Sequence, residues 1–187
     1  MTGRSRRVIN STRTTKDTGA RTRLGSRTTC PGCWNADTWA FERRDLRSVD
    51  ALAEEILATP GIEGVTFSGG EPFQQARALA ALAARVQAAG LSVFIFSGHT
   101  LDALTAPAHR ALLAHTDVLV AGPYDQRSRI PMASWRSSAN QVTHFRSDRY
   151  GPADAERVPE AEVYVAADGT LRFTGFPDRG LLATPPA

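Results

Sequence analysis

Val65-Thr66-Phe67-Ser68-Gly69-Gly70-Glu71-Pro72 is the stretch on which the reading of this chain turns. Three β-favouring residues are cut off by Ser68-Gly69-Gly70, and a helix rich in Ala and Leu follows from about Phe73 to Ala89. Gly90 stands where a helix C′ residue belongs. Leu91–Phe96 is then a near-continuous apolar run, the pattern of a strand covered on both faces. Strand, helix and strand in this order predict a parallel βαβ unit.

Working outward, Ser48 is a capable N-cap, and Val49, Leu52, Ile56 and Leu57 recur at helical spacing over Val49–Ala58. Pro60-Gly61 closes that helix. Pro107–His115 reads as a further helix and Val118–Ala121 as a buried strand. The expected fold is an α/β domain, a short open parallel sheet with right-handed crossover helices. Residues 124–160 are polar, carry Pro131, Pro152 and Pro159, and read as loops with little regular structure. Glu162–Ala167 and Thr170–Thr174 flank Asp168-Gly169, a two-residue turn signal, so a β-hairpin is expected within residues 160–176.

The chain has 187 residues, 42% hydrophobic and 22% charged, which suits one globular domain. No run approaches the roughly 18 apolar residues of a membrane span, and no apolar signal-peptide core is present. Two cysteines cannot staple a secreted scaffold, so a reducing, cytoplasmic setting is expected. The net charge of +3 is unevenly spread: residues 1–29 hold seven Arg and one Lys against Asp17, while residues 30–187 hold 14 basic and 18 acidic side chains. Eight of those first 29 residues are Thr, and only Met1, Val8, Ile9, Ala20 and Leu24 are apolar. Without a strand or helix period, residues 1–29 read as a basic, disordered or mis-framed leader ahead of a domain over 30–187. Such a leader could touch phosphate, but the absence of interleaved aromatic residues argues against base recognition.

Two motifs carry chemistry. Cys30-Pro31-Gly32-Cys33 by itself fits a thiol redox pair, half of a metal site or two buried thiols. Ser68-Gly69-Gly70-Glu71-Pro72 fits either a ligand-receiving loop, with Glu71 accepting from a cation or amine, or a plain tight turn with a solvent-facing Glu. Pro72 suits a first helical turn.

Taken together, Cys30-Pro-Gly-Cys33-Trp34-Asn35-Ala-Asp37-Thr38-Trp39 and Phe67-Ser-Gly-Gly-Glu-Pro-Phe73 resemble the radical S-adenosylmethionine activating enzymes. The likeness is in particular to the activators of anaerobic ribonucleoside-triphosphate reductase and the 4Fe-4S single cluster domains. Phe96-Ser-Gly-His-Thr100, Thr116-Asp-Val-Leu-Val-Ala-Gly-Pro123 and Trp135-Arg-Ser-Ser-Ala-Asn-Gln141 share it. The resemblance spans roughly residues 30–145 and implies a partial barrel. It implies a [4Fe–4S] cluster held by C-x-x-x-C-x-x-C, with S-adenosylmethionine on the open iron. Reductive cleavage there yields a 5′-deoxyadenosyl radical that abstracts hydrogen from a partner protein, with the cofactors carrying the chemistry. By position, Cys30 and Cys33 would be cluster ligands, and Gly32, Cys33 and Trp34 would line the cofactor. Gly69, Gly70 and Glu71 would receive its methionine end, and His99 would shape the pocket. The resemblance implies no catalytic side chain beyond these ligands. Implied partners are a glycyl-radical enzyme such as anaerobic ribonucleotide reductase and a flavodoxin-like electron donor.

Ser26 stands where the first ligand cysteine is expected, and the chain has no other thiol. A serine alkoxide is a poor match for an iron–sulfur cluster. Three readings follow: a mis-framed leader before an intact body, a degenerate binding protein without a competent cluster, or a third ligand from another chain or small molecule. A C-x-x-C thiol redox protein is a further alternative, against which the Gly69-Gly70-Glu71-Pro72 loop counts. His109 and His115 fall on different helix faces, and His144 stands alone. Trp39 and Phe41 read as packing residues. Asp117 and Arg136 are secondary candidates for cofactor or partner contact.

Overall fold

The structure, a computed structural model, describes residues 5–10, 31, 47–130, 135–156, 161–165 and 169–175. Ser26, Cys30, Gly32, Cys33, Trp34, Trp39, Phe41 and Asp168 lie outside the described residues. The elements run β1 Ser5–Asn10, α1 Val49–Leu57, β2 Ile62–Ser68, α2 Ala76–Ala88, β3 Ser92–Ser97, α3 Pro107–Ala114 and β4 Val118–Ala121. Then come β5 Val142–Phe145, the short α4 Pro152–Ala155, and the pair β6 Ala161–Val165 and β7 Leu171–Gly175. β1 to β5 form one open sheet in chain order, parallel from β1 to β4, with β5 added antiparallel at the edge. The expected α/β architecture with a terminal hairpin is what the chain adopts.

Local chemistry explains the element ends. The Ser48 hydroxyl accepts from the Ala51 N–H at 3.1 Å and caps α1. α2 ends with Leu91 N donating to the Val86 carbonyl at 3.1 Å and Gly90 N to Gln87 at 2.9 Å. With Gly90 at φ +81°, this is a Schellman close, and the chain turns directly into β3. The expected helix over Phe73–Ala89 opens as a 3₁₀ turn at Pro72–Gln75 and becomes α-helical only from Ala76.

Because parallel neighbours follow one another in sequence, right-handed crossovers lay their helices on one face of the sheet. Alternate strand residues Val65, Phe67, Val93, Ile95, Leu119 and Ala121 pack there with Leu52, Ile56, Leu79, Leu82 and Leu112 in one core. Among the described residues the opposite face carries no crossover helix. Phe94, Val118 and Val120 are covered instead by Phe96, Trp135, Phe145 and Tyr150. The Trp135 ring meets Phe94 edge-on at 5.2 Å and Tyr150 at 6.2 Å. The Tyr150 hydroxyl donates to Ser92 Oγ at 2.8 Å, and Ser92 Oγ to the Glu63 carbonyl at 3.2 Å. This contact uses the space left by Gly64, where a Cβ would lie 2.0 Å from Ser92 Oγ.

Two expectations are corrected. The leader was expected to hold no strand, yet Ser5–Asn10 pairs parallel with β2, from Arg6↔Gly64 to Asn10↔Ser68. Backbone pairing along an existing edge needs no apolar period in the added strand. The remainder of the leader, 11–29, lies outside the described residues. Residues 124–160, expected as loops, contain β5 and α4. β5 is short, and only its pairing with β4, Val118↔Phe145 to Ala121↔Val142, defines it. The hairpin falls within residues 160–176 as expected, with Gly169 at φ +82° in the connection, but its register sets Val165 against Leu171, where a two-residue turn at Asp168-Gly169 would set it against Arg172.

Two outcomes follow from this packing. Gly64→Ala should lower unfolding free energy by about 1–3 kcal/mol through overpacking against Ser92, measured by urea denaturation. His144, opposite Leu119 on β5, has its proton affinity lowered by burial and by the charge of Arg146. As pH falls below about 6.5, protons therefore bind the unfolded chain before the folded one, and stability drops. His144→Gln should flatten that acid-side loss while leaving stability above the window governed by the remaining groups, as a series of denaturation curves across pH would read.

Candidate functional site

The carboxyl ends of β2, β3 and β4 meet at one edge of the sheet, where ligands of open α/β folds gather. β2 ends at Ser68, and Gly69 and Gly70 turn the chain with φ +75° and +49°. Two consecutive residues in the left-handed region explain the glycine pair, since side chains would strain both. Glu71 follows, and it is only 3% exposed.

Its carboxylate accepts three hydrogen bonds from the described residues. Oε1 accepts from the Phe73 N–H at 3.0 Å and from the Ser97 hydroxyl at 2.9 Å. Oε2 accepts from the Gly98 N–H at 2.8 Å. Burying a carboxylate is costly unless donors replace water, and these three do so. The alternative of a solvent-facing Glu71 is thereby overturned. The Phe73 bond also caps the 3₁₀ turn that starts at Pro72.

The loop after β3 is held from a second side. His99 N–H donates to Ser97 Oγ at 3.0 Å, and Gly122 N–H is shared between the carbonyls of Ser97 at 3.1 Å and His99 at 2.9 Å. Gly122 follows β4 at φ +118°, and a Cβ there would meet the Asn140 carbonyl oxygen at 3.3 Å. Gln141 ties in the last segment: Nε2 donates to the Gly122 carbonyl at 3.2 Å, while Oε1 accepts from Ser137 N at 2.9 Å and Ser138 N at 3.2 Å. Arg136 Nη1 donates to the Gln141 carbonyl at 3.1 Å.

The structure thus brings together Gly69, Gly70, Glu71 and His99, and places Arg136 on a segment tied to the same edge. It sends Asp117 elsewhere. That residue is 4% exposed at the amino end of β4, accepting from Val93 N at 2.8 Å and Ser147 Oγ at 2.6 Å. A contact role for Asp117 at this edge is therefore corrected to a bolt at the opposite one. His109 packs its ring against Phe73 at 5.5 Å, and His115 meets Gln87 at 3.0 Å, so the two do not form a pair. Among the described residues no three His, Cys, Asp or Glu side chains gather as a metal site. Ser97, Gly122 and Gln141 were inside the stretches singled out by resemblance, but nothing local marked their roles, because their partners lie 26, 25 and 19 residues away along the chain.

Glu71→Ala would leave three donors around a buried gap. It should cost at least about 3 kcal/mol in unfolding free energy, given about 1–3 kcal/mol for each buried group left unpaired. Glu71→Gln should cost less, since its oxygen can replace Oε1 and only the Gly98 N–H then faces another donor. Thermal and urea unfolding of both variants check this order.

Three comparisons bear on the site. The family described as 4Fe-4S single cluster domain matches residues 21–144. The anaerobic ribonucleoside-triphosphate reductase-activating protein of Vibrio cholerae is 32% identical over 124 residues, 62% of this chain and 79% of the relative. The proteins of that name from Haemophilus influenzae and Escherichia coli K12 are each 31% identical with the same shares covered. No solved structure matches the chain. With a family match over residues 21–144 and relatives of this identity and coverage, the chain belongs to the 4Fe-4S single cluster domain family.

Proposed function

We propose that this chain is an S-adenosylmethionine-binding activating protein of the radical type, acting on a glycyl-radical enzyme such as an anaerobic ribonucleotide reductase. The observation that carries the reading is the Gly69–Gly70 turn locked by buried Glu71 at the carboxyl ends of the parallel strands. The names of the relatives support the same partner class. No described helix is long and apolar enough to cross a membrane, and the reading places the protein in the cytoplasm with a flavodoxin-like electron donor.

The residues differ in how well they fit the two groups that the reading requires. A glycine turn with both φ values positive brings no side chain to this edge, which suits close approach by the polar methionine end of S-adenosylmethionine. Glu71 supports that turn, and in this reading Gly69, Gly70 and His99 border the ligand. Gly32, Cys33 and Trp34 complete the border on the cysteine loop.

The cluster is a different matter. Iron–sulfur clusters are held by sets of thiolates, and this chain has two cysteines, Cys30 and Cys33, with Ser26 where the first of three ligands is expected. The donor set of the chain does not fit a three-thiolate [4Fe–4S] site. That mismatch favours a second reading, a protein that keeps the ligand pocket and partner surface of its family without a competent cluster of its own.

Anaerobic reconstitution with iron and sulfide, followed by EPR of the reduced protein with and without S-adenosylmethionine, separates the readings. Ser26→Cys should hold a full cluster whose signal shifts when S-adenosylmethionine is added. The same shift in the unaltered chain supports the activating reading for the chain as it stands, and markedly less iron in it than in Ser26→Cys supports the second reading. A Ser26→Cys chain with no cluster, or with a signal indifferent to S-adenosylmethionine, would overturn the activating-protein reading.

A further inference from the structure

Ser97 is the last residue of β3, 4% exposed, and its hydroxyl works in both directions at once. It donates to Glu71 Oε1 at 2.9 Å and accepts from the His99 N–H at 3.0 Å. The peptide between them is held too, since Gly98 N–H donates to Glu71 Oε2 at 2.8 Å. From the β4 side, Gly122 N–H reaches the carbonyls of both Ser97 and His99. Three consecutive residues of the β3 loop are therefore fixed by one carboxylate and one hydroxyl on one side and one backbone amide on the other.

The chemistry of Glu71 sharpens the point. An ionised carboxylate has about four acceptor positions, and three are spent on Phe73, Ser97 and Gly98. Its main work is within the protein, joining the turn after β2 to the loop after β3. We infer that Ser97 is a positioning residue for S-adenosylmethionine binding, the hydroxyl through which the Glu71 carboxylate sets the Gly98–His99 backbone at the ligand edge. This rests on the proposed function and deepens it, because it assigns to Ser97 and Glu71 a shared role through each other. Without the hydroxyl, Glu71 Oε1 keeps the Phe73 N–H alone among the described residues, and the His99 N–H loses the Ser97 acceptor.

Equilibrium dialysis of S-adenosylmethionine against the full chain tests this, alongside amide hydrogen exchange. Ser97→Ala should weaken binding about tenfold or more, as expected for loss of hydrogen bonds that include one to a charged group. Ser97→Thr, which keeps the hydroxyl, should bind within about threefold of the unaltered chain, where tenfold corresponds to about 1.4 kcal/mol. In Ser97→Ala, exchange should quicken at Gly98 and His99 while the amides of Val93 to Ile95 stay protected. Equal binding by the unaltered chain and Ser97→Ala would overturn the inference alone. So would faster exchange throughout β2, β3 and β4 in Ser97→Ala, which would make Ser97 a support of the whole sheet. Loss of binding in Ser97→Thr while the unaltered chain binds would also overturn the inference alone, and binding by neither would overturn the proposed function and this inference with it.

Discussion

A carboxylate removed from water must find donors, and Glu71 finds them on two different loops. That constraint organises the functional edge. To satisfy the carboxylate, the chain must leave β2 through a sharp turn, which requires the glycine pair, and β3 must end with its hydroxyl and next amide facing the same point. Gly122 and Gln141 then draw the loop after β4 and the segment from Trp135 to Gln141 into the same arrangement. Asp117 performs the corresponding task at the other end of β3, where it holds Val93 and Ser147. The central strand is thus fastened at both ends by acids that do not face solvent.

The order of the strands has its own energetic consequence. Helices gather on one face, where Leu, Ile, Val and Phe side chains make the larger core. The other face depends on the long excursion after β4, whose Trp135 and Tyr150 lie against Phe94 and Ser92. Trp135 takes φ +58° to do so, an unusual conformation for a residue with a side chain. Among the described residues the two faces are therefore covered by different means, one by regular crossover helices and one by aromatic rings from β3, β5 and the irregular chain around them.

Much of this was legible in the residues. Periodicity located α1, α3, β4 and the terminal hairpin, because each buries a regular face or follows a turn signal that is local in sequence. The edge itself was legible through Ser68-Gly69-Gly70-Glu71-Pro72. What escaped was whatever depends on partners far along the chain. Ser5–Asn10 carries only Val8 and Ile9 as apolar residues, and its strand exists because the edge of β2 offers a template. β5 is four residues long and takes its identity from β4. Glu71 read as either a ligand acceptor or an exposed side chain, since no local pattern announces a hydroxyl 26 residues later. Asp117 read as flanking the ligand edge because proximity to a strand in sequence does not say which end of it matters.

The described sheet runs in chain order, each strand pairing with the one before it in sequence. From β2 to β5 the closures are short, and closing a short loop costs less entropy than closing a long one. Each of these strands therefore meets an edge that is already formed when it leaves the ribosome, so this part of the sheet can be assembled in the order of synthesis.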